Sequence, residues 1–183
     1  LALASCRRTG RRAALMYLDL DNFKFLNDKA GHAVGDLLLV EVAHRLKCCV
    51  RETDTVARFG GDEFVVLIGE LDGDMPGAAD QAGAIARKMS LALAVPYLLA
   101  APHEVGTDAR VEHHCTVSIG VALLGTGTWT VDSALGIADQ AMYQAKQSGR
   151  YSICMVEAAT NVDGRAEPVP GWSGQDWSAS DGS

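Results

Sequence analysis

Thr55-Val56-Ala57-Arg58-Phe59-Gly60-Gly61-Asp62-Glu63-Phe64-Val65-Val66-Leu67-Ile68 is the stretch on which the fold turns. Thr55 to Phe59 and Glu63 to Ile68 are β-prone runs. Gly60-Gly61 between them signals a tight hairpin, because both glycines can take positive φ without penalty. Two acids, Asp62 and Glu63, follow the bend at once. Upstream, Ala13 to Leu18 is a short continuous apolar run, read as a central strand buried on both faces. It ends in Asp19-Leu20-Asp21, where the two acids stand two apart and project to the same face. If the hairpin pairs beside that strand, Asp62 and Asp19 meet at one rim of the sheet. Two carboxylates held together repel each other, and a bound Mg2+ relieves this. It takes oxygen ligands and only a few protein carboxylates, leaving the other positions to water and phosphates. Two such ions about 3.5–4 Å apart polarise the attacking and leaving oxygens of a phosphoryl transfer. The other reading of these acids is as solvated turn residues, and for Asp21 taken alone both stay open. Gly60-Gly61 also has two readings. Any hairpin can use two glycines, and a side-chain-free tip lets a flat base or a phosphate approach the backbone.

Working outward, residues 1–10 carry a weak helical pattern that stops at Gly10. The chain begins without Met and without an N-cap, so it reads as cut from something longer. Residues 22–30 suggest a short helix broken at Gly31. A longer helix follows from about Ala33 to Val50, with Leu39, Val42, Ala43, Leu46 and Val50 as its apolar stripe. Residues 71–77 read as a loop, and a helix runs from about Ala78 to Ala94, stopped by Pro96. Residues 97–110 read as an irregular hairpin or insertion. His114 to Leu123 alternates Cys115, Val117, Ile119 and Val121 against Thr116, Ser118 and Gly120, a half-buried strand. A last helix spans about Thr130 to Ser148, and a short strand, Tyr151 to Val156, closes the domain. Beyond about Ala158 the composition shifts to Gly, Ser, Pro, Asp and Trp without period. That division gives one domain over residues 1–157 and a disordered tail over 158–183.

A chain of 183 residues accommodates one domain with a real core. Apolar residues at 48% and charged residues at 21% describe a soluble globular protein. The formal net charge of −7 leaves no basic footprint for nucleic acid. No apolar run approaches the roughly 18 residues of a membrane span, and the opening residues do not form a secretory signal. The cysteines at 6, 48, 49, 115 and 154 are odd in number and form no CxxC pair, so they read as free thiols in a reducing cytoplasm.

Arg58-Phe59-Gly60-Gly61-Asp62-Glu63-Phe64 resembles the signature of the GGDEF family of diguanylate cyclases. Four further blocks follow the family's pattern. Asp19-Leu20-Asp21-Asn22-Phe23-Lys24-Phe25-Leu26-Asn27-Asp28 is similar to its DxDxFKxxND segment, and Gly31-His32-Ala33-Val34-Gly35-Asp36 to its GHxxGD. Thr116 to Ala122 is similar to its core strand, and Ala138 to Lys146 to its ADxAMYxAK helix. The blocks stand in the family's order and cover roughly residues 11–156. The resemblance implies an α/β (α+β) fold like the palm of polymerases and class III cyclases, an antiparallel-centred sheet flanked by helices. It implies condensation of two GTP into cyclic di-GMP across a homodimer, with two Mg2+ or Mn2+ ions per active site.

The resemblance also implies roles. Asp19, Asp62 and the Leu20 carbonyl hold metal; Asp62 accepts the 3′-hydroxyl proton, and Glu63 is a nearby acid at metal or substrate. Asn27 and Asp36 recognise guanine, with His32 lining the same pocket. Phe23 and Lys24 lie at the phosphates, Gly60 and Gly61 at the substrate, and Lys146 and Arg150 contact the triphosphate. On residue types alone, Asn27 and Asp36 also read as helix caps, and Lys146 and Arg150 as complements of a helix dipole. Arg51-Glu52-Thr53-Asp54 has the RxxD spacing of the family's product-inhibition site, where Arg51 and Asp54 bind cyclic di-GMP. The family's opening Asp-x-Leu-Thr-Gly-Leu-x-Asn-Arg block is absent, and residues 101–113 fit no block. Two alternatives stand beside the cyclase: a non-catalytic receptor for GTP or cyclic di-GMP, and a cyclase making a mixed dinucleotide. The expected location is cytoplasmic, within a longer protein that could be membrane-anchored.

Overall fold

The computed structural model describes residues 8–100, 110–125, 127, 129–158 and 166–168. The chain runs β1 (Arg12–Leu20), α1 (Phe23–Ala30), α2 (His32–Cys49), β2 (Thr55–Gly60), β3 (Glu63–Leu71) and α3 (Met75–Ala94). It continues through β4 (Tyr97–Ala100), β5 (Arg110–His113), β6 (Val117–Leu124), α4 (Val131–Gln147), β7 (Ile153–Ala158) and β8 (Ala166–Pro168). One sheet has the order β2-β3-β1-β6-β7-β8, and β4 with β5 forms a separate ribbon. β1 is antiparallel to both β3 and β6, whereas β6 and β7 are parallel, joined through α4 as a crossover helix.

The alternation of side chains along β1 assigns each face of the sheet. Met16, Leu18 and Leu20 join Phe64, Val66, Ile68, Val117, Ile119 and Val121 in a core shared with α2 and α3. Ala13, Leu15 and Tyr17 point the other way and pack with Ala134, Ile137, Ala138, Ala141 and Met142 of α4. β6 departs from the expected half-buried strand: all eight of its residues are buried. The small outward residues Ser118 and Gly120 are not there for solvent. They let α4 lie on the strand, and a Cβ at Gly120 would collide with Ala138 O and Met142 N.

Beyond shifts of one to three residues at other element ends, three regions differ from the sequence expectation. α3 starts at Met75 inside the expected loop, because Asp74 caps it by accepting from Gly77 N and Pro76 occupies the first turn. The expected irregular hairpin or insertion over 97–110 coincides with the β4–β5 ribbon, which extends to His113 and sets Tyr97 opposite it; residues 101–109 lie outside the described residues. Within the expected tail, Ala166–Pro168 pair with β7, while residues 159–165 and 169–183, with Trp172 and Trp177, lie outside the description. Arg45 of α2 ties the ribbon to the body. Its guanidinium stacks 3.7 Å over the Tyr97 ring and donates to the carbonyls of Ala92 in the last turn of α3 and of Val95 and Pro96 just after it. The adjacent thiols of Cys48 and Cys49 face different ways, Cys48 exposed and Cys49 buried.

Candidate active site

The hairpin pairs beside β1, and its acid-bearing end coincides with the end of that strand. Asp19 stands opposite Glu63, and Leu20 N donates to Asp62 O at 3.2 Å. Strand register therefore fixes three acids at one rim without any side-chain contact. The tip itself differs in one detail from the expected turn. Gly60 pairs with Glu63, so the two turn residues are Gly61 and Asp62, and Phe59 is the extra residue of a bulge. Only Gly61 has positive φ, at 48°. The turn is braced by Arg58 Nε donating to Gly61 O at 2.9 Å. Gly60 needs no unusual φ, and a Cβ there would meet nothing within 4 Å. Its bare backbone faces open space.

Asp19 and Asp21 share a face and a short segment but have different surroundings. The Asp21 carboxylate, 3% exposed, accepts from Thr116 Oγ1 at 2.8 Å, Ser118 Oγ at 3.0 Å and Tyr151 N at 3.2 Å. It is neither a solvated turn acid nor open to an ion. Asp19 is almost as buried, and the charged group beside it is Lys146, whose Nζ lies 2.6 Å from Oδ2. Burial lifts the Asp19 carboxyl above its ordinary value; Lys146 opposes that, while the charges of Asp62 and Asp21 add to it. The balance leaves a carboxylate that gains from additional positive charge.

Lys146 thus reaches across to the rim, beyond complementing the end of α4. Arg150 lies past that helix, its Nε 3.9 Å from Asp21 Oδ1 and its side chain 62% exposed. Glu63 is held by a residue that sequence reasoning missed. Tyr17 Oη donates to Glu63 Oε2 at 3.1 Å, and the Tyr17 ring meets Phe59 edge-on at 5.6 Å. Burial first, and then the hydrogen bond and charge of Glu63, push the Tyr17 hydroxyl well above its ordinary pKa, so it remains a donor. The strand period held the signal, since Tyr17 precedes Asp19 by two.

α1 starts at Phe23, two residues after Asp21, and carries the next group of expected residues. Phe23 is buried and Lys24 exposed. Asn27 sits one turn further along, inside α1, and Asp36 sits inside α2, so neither caps a helix. The Asn27 side chain lies against Gly35, where a Cβ would collide with Oδ1, and that buried oxygen has no hydrogen-bond partner. His32 and Asp36 are exposed beside it on α2. The corner pairs an unsatisfied buried acceptor with an exposed carboxylate, an acceptor set suited to the N–H edge of a flat polar ring.

Arg51 and Asp54 are not part of this cluster. They lie at the opposite end of β2, about 17 Å of strand from Gly60. Asp54 accepts from Arg51 N at 3.0 Å and Gly69 N at 3.3 Å, closing a turn. A groove of about 500 Å³ lies there, lined by Lys47, Val50, Arg51, Glu52, Asp54, Thr55 and Val56.

Among the described residues, no three His, Cys, Asp or Glu side chains converge as a complete metal cage. The donors at the rim, Asp19, Asp62 and a backbone carbonyl, still fit a hard divalent ion that takes most of its oxygens from phosphate and water. The ammonium of Lys146 already stands where positive charge is favoured.

A family model described as "Diguanylate cyclase, GGDEF domain" matches residues 1–152. The chain is 40% identical over 166 residues to the bifunctional diguanylate cyclase/cyclic di-GMP phosphodiesterase MucR of Pseudomonas aeruginosa, covering 91% of this chain and 22% of that protein. It is 32% identical over 142 residues to diguanylate cyclase A of Treponema denticola, covering 78% of this chain and 34% of that protein. It therefore spans only about a fifth to a third of these two relatives. Among solved structures, the GGDEF domain of TpbB (YfiN) from Pseudomonas aeruginosa superposes with a TM-score of 0.71 at 34% identity, covering 84% of this chain and 88% of that one. The GGDEF domain of DgcB from Caulobacter crescentus, solved in complex with c-di-GMP, gives 0.69 at 26% identity, covering 84% and 83%.

Proposed function

The chain belongs to the GGDEF domain family of diguanylate cyclases, and from that premise we propose that it condenses two GTP molecules into cyclic di-GMP, releasing two pyrophosphates. The observation that carries the reading is the meeting of Asp19 and Asp62 at one rim through the Leu20 N to Asp62 O bond and the Asp19–Glu63 register. Asp19, Asp62 and the Leu20 carbonyl would hold Mg2+ or Mn2+, two ions per site, which neutralise the triphosphate and polarise its reacting oxygens when bound.

The chain's own residues do the rest. Lys146, already directed at the rim, and Arg150 offset the triphosphate charge in a protein whose net charge is −7. Phe23 and Lys24 flank the phosphates at the start of α1. The bare Gly60 backbone lets the nucleotide lie close to the hairpin. Asn27 and Asp36 read guanine: the Asp36 carboxylate accepts from the ring N–H and the exocyclic amine, a pattern adenine lacks, and His32 lines the same pocket. Each domain holds one GTP, and two domains face each other. The 3′-oxygen of one nucleotide bonds to the α-phosphorus of the other, the bond to the β-phosphate oxygen breaks, and Asp62 takes the hydroxyl proton. Glu63, fixed by Tyr17, stands beside that step. The reaction occurs twice to close the ring. Cyclic di-GMP binds back at the Arg51–Asp54 end and slows synthesis.

No helix among the described residues is long and apolar enough to cross a membrane, and we place the domain in the cytoplasm. The test is to fuse the chain to a dimerising module and supply GTP with Mg2+. Cyclic di-GMP identified by mass spectrometry is expected. Tight GTP binding with no product at any protein concentration would instead establish a non-catalytic receptor. ATP supplied in competition, giving a mixed dinucleotide, would overturn the guanine assignment of Asp36.

A further inference from the structure

We propose that Asp21 is a positioning residue for the triphosphate: its buried carboxylate clamps the backbone bearing Arg150 and so presents that guanidinium to the phosphates at the acid rim. This rests on the reading of the rim as the GTP site.

The argument begins with the connection from α4 to β7. Gly149, Arg150 and Tyr151 have φ of 118°, 62° and 46° in succession. A single left-handed glycine is the common way to end a helix. Two further non-glycine residues in that region are disfavoured by Cβ sterics and persist only where the surroundings hold them. The helix end does not need them, since Ser148 N already donates to Gln144 O at 3.0 Å. What they accomplish is a change of direction. The chain turns so that the Tyr151 N–H faces Asp21 and the Arg150 side chain emerges at the rim.

The connection is pinned on both sides. Ser152 Oγ donates to Ala145 O at 2.6 Å and Ile119 N donates to Ser152 O at 3.0 Å, fixing the side toward β7. On the other side the anchor is Asp21, itself tied to β6 by Thr116 and Ser118 and by its own N–H donating to Thr116 O at 2.9 Å. A carboxylate accepts from all three donors at once and faces Arg150 with a negative charge; an asparagine could keep its oxygen on Thr116 and Tyr151 and donate its NH2 to Ser118 Oγ, and so would lose only the charge. Arg150 Nε, 3.9 Å from Oδ1, leans on the same carboxylate while its side chain stays mostly exposed.

The test is a double-mutant cycle on GTP binding, read by calorimetry with Mg2+ on wild type, Asp21→Asn, Arg150→Ala and the double variant. Each single change is expected to weaken GTP about tenfold, the loss of one charge-assisted contact. The double variant is expected to bind no worse than Arg150→Ala alone, because Asp21 acts through Arg150. In the dimerised protein, Asp21→Asn is expected to raise KM and leave kcat within about twofold, the mark of uniform binding. Additive losses, or a fall in kcat at unchanged KM, would overturn the proposal and make Asp21 a fold residue only. Should Asp21→Asn fail to fold, Ser118→Ala takes its place. It removes one donor from the carboxylate and is expected to weaken GTP about threefold, an effect that must vanish in the Arg150→Ala background for the proposal to stand. A wild-type chain that binds no GTP sinks both readings, whereas wild-type binding without product sinks only the cyclase and leaves the cycle to judge the clamp.

Discussion

The two ends of the β2–β3 hairpin carry similar letters and opposite physics. At the Arg51–Asp54 end, an acid spends both carboxylate oxygens on backbone N–H groups and the turn is satisfied by itself. At the Gly61 end, Asp19 is buried beside two further acids with Lys146 as its partner, and its carboxyl stays above the ordinary range despite that cation. A self-satisfied acid stabilises the fold; an acid left short of positive charge stores affinity for a ligand that brings it. The contrast teaches that charge type does not identify the reactive end. The sufficiency of its partners does.

The largest effect should come from the unsatisfied end. Asp62→Asn is expected to lower cyclic di-GMP synthesis by about 10²–10⁴-fold, the range for losing a positioned proton acceptor, while circular dichroism stays unchanged. A variant retaining more than a tenth of wild-type activity would remove Asp62 from the chemistry and erase the contrast.

Asp19 offers a pH test of the same difference. Because its folded pKa is raised, the folded chain holds a proton that the unfolded chain has lost, so metal-free stability falls as pH rises from the ordinary carboxylate value through the raised one. Synthesis needs the ionised carboxylate and should also climb with pH, at lower pH than the metal-free stability change because a bound cation favours ionisation. Asp19→Asn should abolish both slopes. A metal-free melting temperature that rises with pH there, and is unaffected by Asp19→Asn, would contradict the assignment.

Tyr17→Phe sharpens the comparison within the rim. It removes the hydroxyl bonded to Glu63 and keeps the ring against Phe59, so synthesis should fall about 10-fold, as for one hydrogen bond to a charged group, with the melting temperature nearly unchanged. Equal rates for the two proteins would reduce Glu63 to a bystander. The smallest effect belongs to the other end. Asp54→Ala should cost about 1 kcal/mol, comparable to losing a helix cap, seen as a drop of about 2–4 °C in melting temperature. No drop would mean that this turn is not self-satisfied after all.

The sheet around β1 was legible because a fully apolar run, a glycine bend and period-two alternation each leave a local trace. The rim was legible for the same reason: strand ends and hairpin tips are sequence-local, and Asp19 and Asp62 sit at one of each. The fates of Asp19 and Asp21 were not legible. They differ through Thr116, Ser118 and Tyr151, which lie 95 to 130 positions away in the chain. The full burial of β6 was hidden too, since Ser118 and Gly120 look like solvent-facing residues until a helix is laid over them. The start of α3 could have been read: Asp74 followed by Pro76 is a helix opening, and the glycines and acids around it suggested a loop instead.

Gly120 reaches further than its place in the core suggests. The helix above it rests backbone to backbone on that strand, and Lys146 lies one turn beyond Met142, about 6 Å along the axis. The strand therefore serves as a fulcrum and α4 as a short lever whose free end carries the ammonium. A methyl group inserted under the pivot would lift the helix and swing the Lys146 charge off Asp19, so the tolerance of the rim to displacement is set by a residue that touches none of its atoms.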